Sequence, residues 1–63
     1  MSLSEIKKLI NDLVNVRLTI SKLSNNVLYK KEMLEYLDTA IANMKLQEKE
    51  EVYRLYLINE RTK

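Results

Sequence analysis

Glycine, proline, cysteine, histidine, tryptophan and phenylalanine are all absent from this 63-residue chain. The absences of Cys, His and Gly each remove a class of function. Without Cys there is no disulfide framework, and without Cys or His the usual zinc sites, and the di-iron bundles built on Glu-x-x-His, lack their ligands. The nucleophile–base pairs of hydrolases lose the same two residue types. Without Gly, no phosphate-cradling loop can form. The longest apolar runs are a few residues, too short to cross a bilayer. The opening Met1-Ser2-Leu3-Ser4-Glu5 lacks the basic-then-apolar order of a signal peptide. The expectation is a soluble intracellular protein that is not an enzyme and holds no cofactor or metal. Glu48, Glu50 and Glu51 are clustered, but successive helical residues fan out by about 100° and cannot converge on one ion or sugar.

What is present is an apolar residue at alternating steps of three and four. The first half gives Ile6, Leu9, Leu13, Val16, Ile20, Leu23 and Val27; the second gives Leu34, Leu37, Ile41 and Met44, then Val52, Leu55 and Ile58. That spacing makes one seam on a helix and nothing on a strand. With 46% hydrophobic and 32% charged residues the chain is globular or coiled-coil in composition. The fold class expected is all-α: an antiparallel helical hairpin over residues 1–63 that forms a homodimeric four-helix bundle.

Ser2 followed by Glu5 is a capping box that starts helix 1 at about residue 3, with the Glu5 carboxylate returning to the Ser2 N–H. Two places compete for the reversal. Ser24-Asn25-Asn26 has the better turn chemistry. Tyr29-Lys30-Lys31-Glu32 has the better electrostatics, with cations at the negative end of helix 1 and Glu32 and Glu35 at the positive end of helix 2. Pairing of apolar residues favours the second. A turn at 29–32 yields the layers Val27/Leu34, Leu23/Leu37, Ile20/Ile41, Val16/Met44, Leu13/Glu48, Leu9/Val52, Ile6/Leu55 and Leu3/Ile58, whose residue numbers sum to about 61. A turn near 25 leaves Val52, Leu55 and Ile58 overhanging. Burying several such side chains is worth roughly 1.5–3 kcal/mol each, against about 1 kcal/mol for end chemistry. Helix 1 is therefore expected over about 3–29 and helix 2 over about 32–60. One straight helix forming a parallel coiled coil is the remaining alternative.

Faces flanking the seam are apolar too: Leu3, Ile10, Val14 and Leu28 on helix 1, Met33, Ala40 and Ile58 on one side of the helix 2 seam and Tyr56 on the other. Faces that wide suit a bundle in which each helix touches two neighbours. The basic first half (+4 over 1–31) and acidic second half (−2 over 32–63) add weak antiparallel complementarity. Glu48 falls at the centre of the helix 2 seam, where Arg17 is placed to reach it. It reads as a register-fixing polar residue, as one that tilts out to water where the helix slides its face toward Glu51 or Val52, or as a general acid with a raised pKa.

Two surfaces are candidate sites. Leu46, Tyr53 and Leu57, with Leu18 on helix 1, lie opposite the seam and form a candidate docking stripe for proteins. Lys7, Lys8, Asn11, Asn15, Lys22 and Asn25 form a basic, amide-rich ridge suited to phosphates and sugar hydroxyls, a candidate nucleic-acid surface.

The run SEIKKLINDLVNVRLTISKLSNNVLYKKEMLEYLDTAIANMKLQEKEEVYRLYL resembles the small helical-hairpin proteins of the spindle-shaped viruses (fuselloviruses) that infect Sulfolobus. The resemblance is one of whole sequence and length, with no short diagnostic motif. It implies a homodimeric antiparallel four-helix bundle in the host cytoplasm, without enzymatic activity, acting as an adaptor. In architecture and length the chain is also similar to Rop, a plasmid RNA-binding hairpin. That similarity implies RNA binding on helix 1, where Lys8, Asn11, Asn15, Lys22 and Asn25 stand. The Ile/Val-rich seam and the lack of Cys and Phe depart from Rop, so the analogy is one of fold alone.

Overall fold

The computed structural model describes residues 1–62. They form two helices and no strand: α1 spans Leu3–Ser21 and α2 spans Lys30–Thr62, and the two pack against each other as a hairpin. A single straight helix is thereby ruled out. The longest dimension is 57 Å, whereas 63 helical residues in line would reach about 95 Å.

The start of α1 follows from its cap. Ser2 is extended (φ −73°, ψ 159°), and its hydroxyl accepts from the Glu5 N–H at 3.2 Å. The Glu5 carboxylate returns to the Ser2 hydroxyl at 3.1 Å rather than to the Ser2 N–H.

The end of α1 departs from expectation. The helix stops at Ser21, with Lys22 as its C-cap, instead of continuing to residue 29. Residues 22–29 form the connection, and α2 begins at Lys30 rather than 32 and runs to Thr62 rather than 60. Local hydrogen bonding accounts for the early stop. The Thr19 hydroxyl donates to the Asn15 carbonyl at 3.0 Å and the Ser21 hydroxyl to the Leu18 carbonyl at 2.7 Å. Such back-bonding competes with the helical ladder. Beyond it, Ser24, Asn25 and Asn26 are all poor helix formers, and the Asn26 N–H turns to the Ser24 hydroxyl at 3.3 Å. Lys30 ties the loop down by donating from Nζ to the Leu23 carbonyl at 2.7 Å and to the Asn25 side-chain oxygen at 3.1 Å. Tyr29, immediately before α2, sits in the left-handed region at φ 64°.

The early turn resets the register. Arg17 on α1 pairs with Asp38 on α2. At the other end, Glu51 lies close enough to the amino terminus of the chain to feel its charge. Facing residues thus have numbers summing to about 52–55, not 61. The expected layers Leu9/Val52, Ile6/Leu55 and Leu3/Ile58 are corrected accordingly: α1 starts level with Glu51, and α2 continues past it alone.

Burial follows that geometry. Ile6 (2% exposed) and Ile41 (9%) are the buried core, with Leu9, Leu13, Ile20, Leu34, Leu37 and Met44 half-buried around them. Val16, Leu23 and Val27 are exposed, and so are Val52, Leu55 and Ile58. The radius of gyration is 15.8 Å, against about 10.6 Å for a compact domain of this length.

Candidate functional site

Beyond Glu51 the sequence of α2 reads Val52-Tyr53-Arg54-Leu55-Tyr56-Leu57-Ile58. At 100° per residue these side chains point around the whole circumference, and only Arg54 is charged. A helix apolar on every side is normally covered on every side. Here all of these side chains are exposed.

The candidate docking residues divide between two places. Leu46 and Tyr53 lie together in a shallow, open groove of about 520 Å³ with Val52, Tyr56 and the stems of Lys49 and Glu50. Leu57 is exposed on the same helix but outside that groove, and Leu18 is exposed on α1. Val52 belongs to the expected seam and Tyr56 to its flank. Their joining with Leu46 and Tyr53 into one surface was visible in the near-continuous apolar run 52–58, but not in the seam spacing.

Near the base of this segment Glu51 is half-buried and receives Arg54 Nε at 3.2 Å and a second, shorter bond from Arg54 Nη2. That hydrogen bonding holds the Glu51 carboxyl below its ordinary value. Burial opposes the shift, while the charges of Arg54 and of the amino terminus add to it.

Arg17 was the expected partner of Glu48, and the structure corrects this. The guanidinium bonds to Asp38 through Nε–Oδ1, with Nη2–Oδ2 at 3.5 Å. The early turn brings Asp38, not Glu48, level with Arg17. The Asp38 hydrogen bond and charge raise the Arg17 pKa further above its ordinary value. Glu48 itself stands half-buried on the α2 face.

The basic ridge is partly preserved. Lys7, Lys8, Asn11 and Asn15 are exposed on α1, and Lys22 is its exposed C-cap. Asn25 leaves the ridge, because it lies in the connection and accepts from Lys30. An open cleft of about 500 Å³ lies where the connection meets α2, with Arg17, Asn25, Lys30, Glu35 and Asp38 among its lining. It mixes both charge signs, and Arg17 with Asp38 and Lys30 with Asn25 already bond to each other, so it offers no single complementary pole to a small charged ligand.

Among the described residues no group of three or more His, Cys, Asp or Glu is placed to hold a metal ion, and no helix is long and apolar enough to cross a membrane. No protein-family model, curated protein or solved structure matches this chain.

Proposed function

We propose that the chain is a non-enzymatic adaptor that works as a homodimeric four-helix bundle, each copy presenting the Leu46–Tyr53 groove to another protein. The observation that carries this reading is the uncovered apolar surface. The single chain exposes 5312 Å², whereas a compact monomer of 7.5 kDa exposes about 4,250 Å². The excess, roughly 1,000 Å², is close to the ~800 Å² that each partner contributes to a standard interface. A second copy is the fitting occupant. It brings an identical apolar face, and two-fold pairing is the commonest oligomer symmetry. Two buried residues among those described are too small a core for a chain of this length without a partner or a staple, and Cys and His are absent.

A two-fold dimer displays each surface twice, which is the physical content of an adaptor: it can bridge two partner molecules. The resemblance to the fuselloviral hairpins supplies a setting, a viral protein in the host cytoplasm with viral or host proteins as partners. Light scattering tests the dimer. The wild-type chain should show twice the 7.5 kDa mass, and Leu55→Asp with Ile58→Asp should return it to the monomer. The adaptor role then requires Leu46→Asp or Tyr53→Asp to keep the dimer while losing captured partners. A wild-type chain that stays monomeric at tens of micromolar removes the reading.

A second reading, a Rop-like RNA- or DNA-binding dimer, draws on one observation: Lys8, Asn11 and Asn15 share an exposed stripe of α1, and Lys22 is its exposed C-cap. Its affinity should collapse between low and moderate salt and disappear in Lys8→Glu/Lys22→Glu. Failure to bind any nucleic acid at low salt removes it.

A further inference from the structure

The connection between the helices is built like helix that has been left unwound. Residues 22–29 contain no Gly or Pro. Their apolar members Leu23 and Val27 continue the three–four spacing from Ile20. Backbone bonds from Leu23 N–H to the Ile20 carbonyl (3.0 Å), Val27 N–H to the Ser24 carbonyl (3.1 Å) and Lys30 N–H to the Val27 carbonyl (3.3 Å) already form isolated turns. The segment ends on Tyr29 at φ 64°, a conformation disfavoured for a residue with a Cβ. Leu28 and Tyr29 are 74% and 64% exposed. The connection therefore holds eight residues in a conformation that buries little, while α2 extends uncovered past the start of α1.

The two mismatches have nearly the same length. Moving the pairing from numbers summing near 54 to numbers summing near 61 is a slide of about seven residues, one heptad, which brings the same helix faces back together. It consumes almost all of the connection. Slid in this way, Leu9, Ile6 and Leu3 come level with Val52, Leu55 and Ile58. Arg17 leaves Asp38 and comes to about one turn from Glu48, giving that half-buried carboxylate a cation. α1 then gains seven residues on its present 19 and comes closer to the 33 of α2.

We propose that the hairpin has this second register, one heptad along, and that association with a second copy selects it, residues 22–28 winding onto α1 as the bundle closes. The inference rests on the dimer reading above and adds to it the conformational step that regulates assembly. The slide moves α1 along α2 by about 10 Å, and because the chain lacks Cys, introduced thiols label cleanly.

Two spin-labelled variants report the step, each diluted into excess unlabelled chain so that only distances within one chain are read. In Lys7→Cys/Lys45→Cys the labels are level in the present register and should separate on association. In Lys7→Cys/Arg54→Cys they start apart and should converge. Adding Asn25→Ala and Asn26→Ala to either pair raises helix propensity in the connection and should increase the slid population roughly five- to tenfold at a given chain concentration. Sedimentation run on the same samples separates the two readings. A proven dimer with both distances unchanged overturns the sliding register and leaves the dimer standing. A chain that sediments as a monomer throughout overturns the dimer, and the selection of a register by association with it.

Discussion

The first half of α2 and its last third are made of the same residue types, yet they end in different environments. Between Lys30 and Glu48, one face of α2 is covered by α1: Ile41 is buried and Leu34, Leu37 and Met44 are half-buried. From Val52 to Ile58 the helix has more apolar side chains per turn and no neighbour: Leu55, Leu57 and Ile58 are all exposed, and Tyr53 and Tyr56 more so. In the covered half the apolar residues keep to one stripe, which a single partner helix satisfies. In the uncovered segment they surround the helix, which a single partner could not satisfy even if it reached. The intramolecular hairpin thus meets the demand of only part of its own sequence, and the tail of α2 is patterned for at least two neighbours.

Core truncation should separate the two regions most sharply. Ile6→Ala or Ile41→Ala should cost about 2–5 kcal/mol by denaturant unfolding at any chain concentration. Leu13→Ala and Ile20→Ala, half-buried beside them, should fall at the lower end of that range. Leu55→Ala should cost less than about 0.5 kcal/mol in dilute chain, as an exposed site does. In concentrated chain it should cost about 2 kcal/mol or more. Equal effects at both concentrations would break the distinction.

The connection offers a smaller effect of opposite sign. Tyr29→Gly should raise stability by about 1 kcal/mol, since glycine takes φ 64° without the Cβ clash. Ser2→Ala, which removes the acceptor of the Glu5 N–H, should cost about 1 kcal/mol and fray the start of α1.

The smallest expected effect is electrostatic and sits at the boundary between the two regions. Because folding depresses the Glu51 pKa, its contribution to stability is present above the ordinary carboxylate range and is lost as pH falls through the depressed folded value. Thermal unfolding from pH 7 to pH 2 should show this loss in wild type and a shallower slope in Glu51→Gln.

Much of the covered region is legible from the sequence. Ser2-x-x-Glu5 marks the start of α1, and the Ile6-to-Ile41 spacing identifies two helices that must turn back on each other. The position of the turn is not legible in the same way, because two local preferences conflict. Full pairing of every apolar residue asks α1 to run to 29, while Thr19, Ser21, Ser24, Asn25 and Asn26 each offer the backbone a hydrogen-bonding alternative. In the single chain those alternatives prevail, and the consequence passes outward: Arg17 meets Asp38 instead of Glu48, Asn25 drops out of the basic ridge, and Val52, Leu55 and Ile58 lose their facing residues. The groove joining Leu46, Val52, Tyr53 and Tyr56 was obscured for a related reason. Spacing arithmetic assigns each residue to one face, and in this segment every face is apolar.

Amide hydrogen exchange over residues 52–60, followed as the chain is diluted from tens of micromolar to nanomolar, tests most directly whether another copy covers the tail of α2. Protection there comparable to that of residues 34–44 at high concentration, lost on dilution, is the predicted result. Fast exchange of 52–60 at every concentration, alongside steady protection of 34–44, would contradict it.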